Sequence, residues 1–355
     1  AILQSERKLM GVIKEEMKEI RDKYGIDRRS EIQDEVEELK VNLEVMVTAE
    51  DVIVTLSNEG YIKRTSMLSF TRSGGELRSS GVKEGDYVRS LLTVNTLENL
   101  LIFTQKGHYF LLPVHQIPEY KWKEVGTAIV NVIPVAKDDR IVGVIPVKDF
   151  DQPGKSLVFV TRKGQVKRTA LKEYLTNRST AVVACKLADR DELVRVYLSD
   201  NTKEILLVTR SGMSIRFREA EVNPMGRAAA GVKGIQLKED DEVIAAEWVE
   251  GDEGELFVIS DLGYAKSSLL ADYPIQGRGG KGIFTFEFRE GKRVRPNGTR
   301  LVGAFYVKES FDLCAVLASA AQHTLNTESA SIEDRKSPGK QLVPASPADP
   351  VVDVL

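Results

Sequence analysis

From residue 51 onward the hydrophobic and polar positions repeat one phrase. A run apolar at nearly every position ends in a turn glycine, and a second strand-like run carrying Lys and Arg follows at once. Val52-Ile53-Val54-Thr55-Leu56-Ser57 leads to Gly60 and then to Tyr61-Ile62-Lys63-Arg64-Thr65. Runs starting at Leu100, Leu157, Ile205 and Leu256 lead in the same way to Gly107, Gly164, Gly212 and Gly263. The apolar run predicts a strand buried on both faces, and the glycine supplies the positive φ that a tight connection often needs, so each phrase predicts a hairpin. Between hairpins a second phrase recurs: an apolar run, an acidic turn and another apolar run. Ile129-Val130-Asn131-Val132-Ile133-Pro134-Val135 precedes Asp138-Asp139 and Ile141-Val142-Gly143-Val144-Ile145, and similar runs surround Asp189 and Asp191, and Asp240 and Asp241. Two more strands per unit make four, the content of a propeller blade, repeated about every 50 residues.

A sixth copy starts at Asp312-Leu313-Cys314-Ala315-Val316-Leu317 but carries Ala320-Ala321 where glycine stood and no basic strand. The prediction is an all-β, six-bladed, propeller-like disc, open or irregular at its last blade. A β-sandwich is the alternative, although a sandwich needs no repeated grammar. The first residues differ. Leu9, Met10, Ile13, Met17, Ile20 and Tyr24 fall at helical spacing among charged residues, and an acidic segment at 30–41 carries Ile32, Val36 and Leu39. The predicted organisation is a helical segment at 1–48, the six repeats at 49–343 and a tail at 344–355. The pattern starts without Met or a helix cap, so we expect a piece of a longer protein.

Composition narrows the chemistry. No apolar stretch approaches the roughly 20 residues that span a bilayer, and no signal segment opens the chain, so the expected location is cytoplasmic with no membrane partner. Cys185 and Cys314 lie in apolar runs of different repeats and His108, His115 and His323 are dispersed, so no metal or other cofactor is expected. No phosphate loop, nucleophile elbow or paired-carboxylate motif is present, and the acidic turns read as solvated hairpin tips. The net charge is -3, but position within the repeat matters more than the sum. Lys63 and Arg64, Arg162, Lys163, Lys167 and Arg168, Arg210, Arg216 and Arg218, and Lys266 lie on or beside the second hairpin strands. If blades are related by rotation, these cations predict a positive belt that holds duplex DNA by its phosphates, without regard to sequence. A ~40–90° bend in 20–30 bp costs on the order of 1–6 kcal/mol, which several phosphate contacts offset at low salt. A propeller that presents a flat face to a peptide is the rival reading and needs no basic rim.

The residues resemble the A subunits of bacterial type IIA topoisomerases, the family of DNA gyrase and topoisomerase IV. Ser5-Glu6-Arg7-Lys8-Leu9-Met10-Gly11-Val12-Ile13 looks like the end of the breakage-reunion region in those proteins, and Asp51-Val52-Ile53-Val54-Thr55-Leu56-Ser57-Asn58-Glu59-Gly60 like the first strand pair of their C-terminal domain. The resemblance implies a six-bladed β-pinwheel that binds and bends DNA at its outer edge. Gyrase A subunits share a Gln-Arg-Arg-Gly-Gly-Lys-Gly box in the first blade. The corresponding place here reads Thr71-Arg72-Ser73-Gly74-Gly75-Glu76-Leu77, while a box-like Gln276-Gly277-Arg278-Gly279-Gly280-Lys281-Gly282 stands in the fifth repeat. Arg72, Arg278 and Lys281 join the candidate DNA contacts on this basis. The worn first box, together with Leu112-Pro113-Val114-His115-Gln116-Ile117-Pro118, is more similar to topoisomerase IV than to gyrase, while the fifth-repeat box keeps a DNA-wrapping gyrase A domain as the alternative. The resemblance further implies no catalytic site in this chain. As partners it implies the remainder of the same A polypeptide and a B subunit supplying ATPase activity, in a heterotetramer that decatenates and relaxes DNA.

Overall fold

The computed structural model describes residues 5–26, 47–76, 79–289, 291 and 294–355. Two compact units divide at Met46 and Val47. In the first, an α-helix spans Glu6–Tyr24, and its Leu9, Met10, Ile13, Met17, Ile20 and Tyr24 are exposed. The acidic segment at 30–41 lies outside the described residues.

The second unit is a six-bladed β-propeller. Among the described residues, five blades are four-stranded antiparallel sheets and the sixth has three strands. In blade 1, strand Asp51–Ser57 pairs with Tyr61–Ser66 to form the hairpin. Val88–Asn95 lies on the inner side of the hairpin, and the short strand Thr127–Ala128 lies on the outer side. The inner strands of all six blades, Ile141–Val147, Leu193–Ser199, Val243–Val249, Leu301–Val307 and Val351–Val354 being the other five, line a central channel of about 590 Å³. The edge strand comes from the following repeat: Thr127–Ala128 lies beyond the second hairpin yet completes blade 1, and Val182–Val183, Val232–Lys233, Ile283–Phe284 and Lys340–Gln341 complete blades 2 to 5 likewise. The run at 129–135 therefore supplies no long strand. Its first residues, Ile129–Asn131, form a 3-10 turn.

The first hairpin strands are apolar at successive positions because each blade is covered on both faces. Leu100 and Ile102 pack toward blade 1, and Leu101 and Phe103 toward blade 3. Five such clusters fill the interfaces from blade 1/2 to blade 5/6. Blade 6 meets blade 1 through polar groups. The Tyr87 hydroxyl donates to Asp353 Oδ2 at 2.7 Å, and Arg89 reaches the same oxygen at 3.3 Å. The acidic turns are not simply solvated. Asp86, Asp139, Asp191, Asp241 and Asp349 accept a bond at 2.8–3.0 Å from a backbone N–H in the hairpin turn of their own blade, while Asp138 and Asp240 remain exposed. In blade 5 the roles swap, and Asp261 in the hairpin turn accepts from Thr299 N at 2.8 Å.

Residues 344–355 are not a separate tail. Val351–Val354 is the inner strand of blade 6, pairing with its first hairpin strand, Asp312–Leu317. The irregularity predicted for the last blade is its missing fourth strand among the described residues and its turn, where Ala320 adopts φ 66°. A side chain in the left-handed region costs about 1–2 kcal/mol, part of which glycine returns through its freer unfolded chain. Ala320→Gly is expected to raise stability by about 0.5–1 kcal/mol, measured by urea unfolding; a loss of stability would contradict the assigned turn.

Candidate nucleic-acid interface

The sheet order decides which cations can meet a ligand. The basic second hairpin strand is third from the axis, covered by the edge strand and by the loop that leads into it. Lys63, Lys167 and Lys266 occupy the same slot in blades 1, 3 and 5, and each is 1% exposed or less. Lys63 Nζ donates to the carbonyls of Trp122 at 2.6 Å and Glu124 at 2.5 Å, in the loop crossing from the next repeat, and to Gly81 O at 3.3 Å. Lys167 Nζ donates to Ala184 O at 2.6 Å and to Arg227 O, and lies 5.0 Å from the Phe159 ring centroid. Lys266 Nζ donates to Asp334 O. These ammonium groups hold the crossing loops in place.

The remaining hairpin cations divide. Arg216, 2% exposed, donates to Gly251 O at 2.5 Å and Tyr273 O at 3.1 Å and pairs with Asp252 at 2.9 Å and Glu204 at 3.3 Å. Arg168 is buried, and Arg64 pairs with Glu119 at 3.4 Å. Arg162 bridges Glu192 at 2.5 Å and Glu242 at 2.6 Å, and Arg210 shares Glu242 at 3.2 Å. Lys163 is exposed, with Nζ on Asp189 O at 2.5 Å. The belt predicted from the second hairpin strands is thus corrected: Lys63, Lys167, Arg168, Arg216 and Lys266 face inward as structural groups, and Arg64, Arg162 and Arg210 are paired with carboxylates. Arg72, at the end of helix Met67–Arg72, Arg218 and Lys281 are exposed.

Burial lowers Lys63, Lys167 and Lys266 from 10.5 to about 8, because desolvation disfavours the ammonium. Between pH 8 and 10.5 the unfolded chain keeps protons on these lysines that the folded chain has released, so their linkage makes stability rise with pH. Burial raises the Cys185 thiol and the Tyr174 hydroxyl, which act in the opposite sense from about pH 9 upward. Urea midpoints are therefore expected to increase from pH 8 to 9. A flat or falling midpoint would show that these amines are not desolvated.

A second set of cations does reach the outside. The loops that lead into the edge strands carry Lys121 and Lys123 on blade 1, Arg178 on blade 2, Lys281 on blade 4 and Lys336 on blade 5, with Lys233 in the edge strand of blade 3 itself. All six side chains are exposed, and none is in an ion pair among the described residues. They mark a cationic track over the rims of five successive blades. Three arginines in the same loops act as braces. Arg227 donates to Val183 O, Arg278 to Lys233 O at 2.5 Å and Arg335 to Phe284 O at 2.9 Å, each tying its loop to the neighbouring edge strand. In four of the five blades a glycine at positive φ stands where the loop enters the sheet. Gly282 (φ 74°) would place a Cβ 2.3 Å from Ser214 O, so no larger residue fits.

Apart from Lys281, the track is not among the candidates the sequence offers, because a Lys or Arg in a strand reads as exposed. One signal was present: the slot of Lys63, Lys167 and Lys266 is filled in the other two repeats by Phe110 and Ile215, which are core residues. Another was the second recurring glycine, Gly126, Gly231, Gly282 and Gly339, all at positive φ, which marks where the crossing loop enters the sheet.

This disc, with edge strands passed between neighbouring blades and cations along its rim, defines a class. The chain belongs to the family described as DNA gyrase C-terminal domain, beta-propeller, whose match covers residues 51–95, 98–148, 155–200, 203–247 and 254–294, the first five repeats. More particularly, it is 37% identical over 340 residues to the A subunit of DNA topoisomerase 4 from Bacillus subtilis (strain 168), an alignment covering 96% of this chain and 41% of that protein. It is 33% identical over 348 residues to the A subunit of DNA gyrase from Salmonella typhimurium, covering 97% and 38%. The chain thus spans about two fifths of the length of these curated relatives. The crystal structure of the C-terminal domain of DNA topoisomerase IV superposes with a TM-score of 0.78 at 33% identity, over 87% of this chain and 94% of that one. A DNA gyrase A C-terminal domain, 21% identical with a TM-score of 0.63, shares the fold. The chain is the C-terminal domain of a type IIA topoisomerase A subunit.

Proposed function

We propose that this domain is the non-catalytic DNA-binding and DNA-bending element of a topoisomerase IV A subunit. It holds the transported duplex along its rim and presents it to the remainder of the A polypeptide for ATP-dependent strand passage with a B subunit in a cytoplasmic heterotetramer, in decatenation and relaxation. The observation that carries this reading is the exposed cationic track on five successive edge loops. Phosphate contacts of this kind ignore base sequence, so binding is sequence-independent and salt-sensitive. The track ends at blade 6, whose hairpin, residues 312–326, has no Lys or Arg. A duplex that follows five blades and leaves the disc is bent without a full turn of wrapping, which favours the topoisomerase IV role over the gyrase one.

The test is the topology of nicked DNA circles ligated on the domain and then deproteinised. Salt-sensitive binding with little trapped writhe is the expected result. Strong positive writhe would assign gyrase-like wrapping, and absence of DNA binding at low salt would favour a protein-interaction propeller.

A further inference from the structure

The edge strands display apolar side chains on the rim as well as cations. Their second residue pairs with the residue that follows the turn glycine: Val183 with His108 in blade 2, Lys233 with Gln165 in blade 3 and Phe284 with Met213 in blade 4. The shared register puts the three side chains on the same side of their blades, so Val183 and Phe284 stand where blade 3 carries a cation of the track. Val183 is 42% exposed and Phe284 46%. The three arginine braces all hold this slot. Arg227 donates to Val183 O, Arg278 to Lys233 O and Arg335 to Phe284 O. A guanidinium that fixes a carbonyl also fixes the neighbouring Cα, and the side chain is presented without the mobility of a free loop.

Cations flank Phe284. Lys238 Nζ lies 5.9 Å from its ring centroid, Arg335 donates to its carbonyl at 2.9 Å, Lys336 follows Arg335, and Lys281 stands three residues before it. Lys238, Lys281 and Lys336 are exposed, and none is in an ion pair among the described residues. An exposed ring gains when it is buried against an apolar surface, and the lysines around it select a polyanion. Duplex DNA offers both. Its phosphates lie on the strands, and between them the minor groove exposes sugar edges and stacked bases, into which DNA-bending proteins insert Phe, Leu, Ile, Met or Pro.

We propose that Phe284 is a wedge residue: it enters the minor groove of the bound duplex at blade 4, opens a base step and so localises the bend, with Val183 making a smaller contact of the same kind on blade 2. The inference rests on the DNA-binding reading above. It adds the groove that faces the disc and a contact that salt does not screen. A wedge responds to stacking and not to base edges, so affinity stays indifferent to sequence while kinks gather at the steps that unstack most readily, TA and CA.

The test compares wild type, Phe284→Ala and Phe284→Leu as whole chains on a short duplex that carries a dye at each end and 2-aminopurine at its TA steps. Energy transfer measures the bend, and 2-aminopurine fluorescence measures unstacking. Both signals are expected to rise when wild type binds. Phe284→Ala is expected to lose most of the unstacking signal and much of the bend and to bind at least about fivefold more weakly. Its salt slope and urea midpoint should match wild type, and Phe284→Leu, which keeps a wedge, should retain most of both signals. Wild type that bends the duplex without a change in 2-aminopurine fluorescence, or a Phe284→Ala variant equal to wild type in both signals, would overturn this inference alone. So would a lowered urea midpoint in Phe284→Ala, because the ring would then serve the fold. Absence of salt-sensitive binding by wild type would overturn the DNA reading together with the wedge and leave the rim to a protein partner.

Discussion

Lys167→Ala is expected to destabilise the propeller by about 3–4 kcal/mol while leaving the DNA affinity of the folded fraction unchanged. The loss has two parts. The aliphatic stem is buried beside Phe159, and its removal leaves a cavity. The ammonium also satisfies Ala184 O and Arg227 O, and a buried acceptor left without a donor costs about 1–3 kcal/mol. Relief of the desolvation that lowers this lysine's pKa works against the loss, and Tyr174 also donates to Ala184 O at 3.1 Å, so one carbonyl keeps a partner. Lys167→Met keeps most of the stem and is expected to cost about 1–2 kcal/mol. Chemical unfolding of both variants separates packing from hydrogen bonding; wild-type stability in both would mean that the crossing loop does not depend on this clasp.

The second large effect lies on the rim. Combined replacement of Lys121, Lys123, Lys281 and Lys336 by Gln is expected to weaken duplex binding by roughly a hundredfold or more at low salt, since each neutralised phosphate releases condensed counterions. Stability should stay within about 0.5 kcal/mol of wild type, because all four side chains are exposed and, among the described residues, outside ion pairs. The opposite outcome, lost stability with retained binding, would reverse the roles given to the two sets of cations.

Much of the fold was legible in the sequence because a blade imposes local demands. A first hairpin strand such as Leu157-Val158-Phe159-Val160 is apolar throughout, since Leu157 and Phe159 pack toward blade 2 and Val158 and Val160 toward blade 4. Gly263 marks its turn because a Cβ there would stand 2.2 Å from Val343 O. The pairing of edge strands was not legible. Val232–Lys233 is two residues long and completes blade 3 from beyond the fourth hairpin, and no local pattern says which sheet such a segment joins. That one topological fact turns the rim inside out. It covers Lys63, Lys167 and Lys266 with loop carbonyls, and it carries Lys121, Lys123 and Lys281 outward. Arg278 and Lys281, neighbours in a box-like motif, part company for the same reason: one braces Lys233 O and the other is free to meet a phosphate.

The most direct measurement is the salt dependence of duplex binding for wild type, for the fourfold Gln variant and for Lys167→Met. At about 0.9 per phosphate contact, the fourfold variant should lose roughly 3 to 4 from the slope of log affinity against log salt, and Lys167→Met should match wild type. A slope that falls in Lys167→Met and persists in the fourfold variant would place the DNA on the hairpin strands after all.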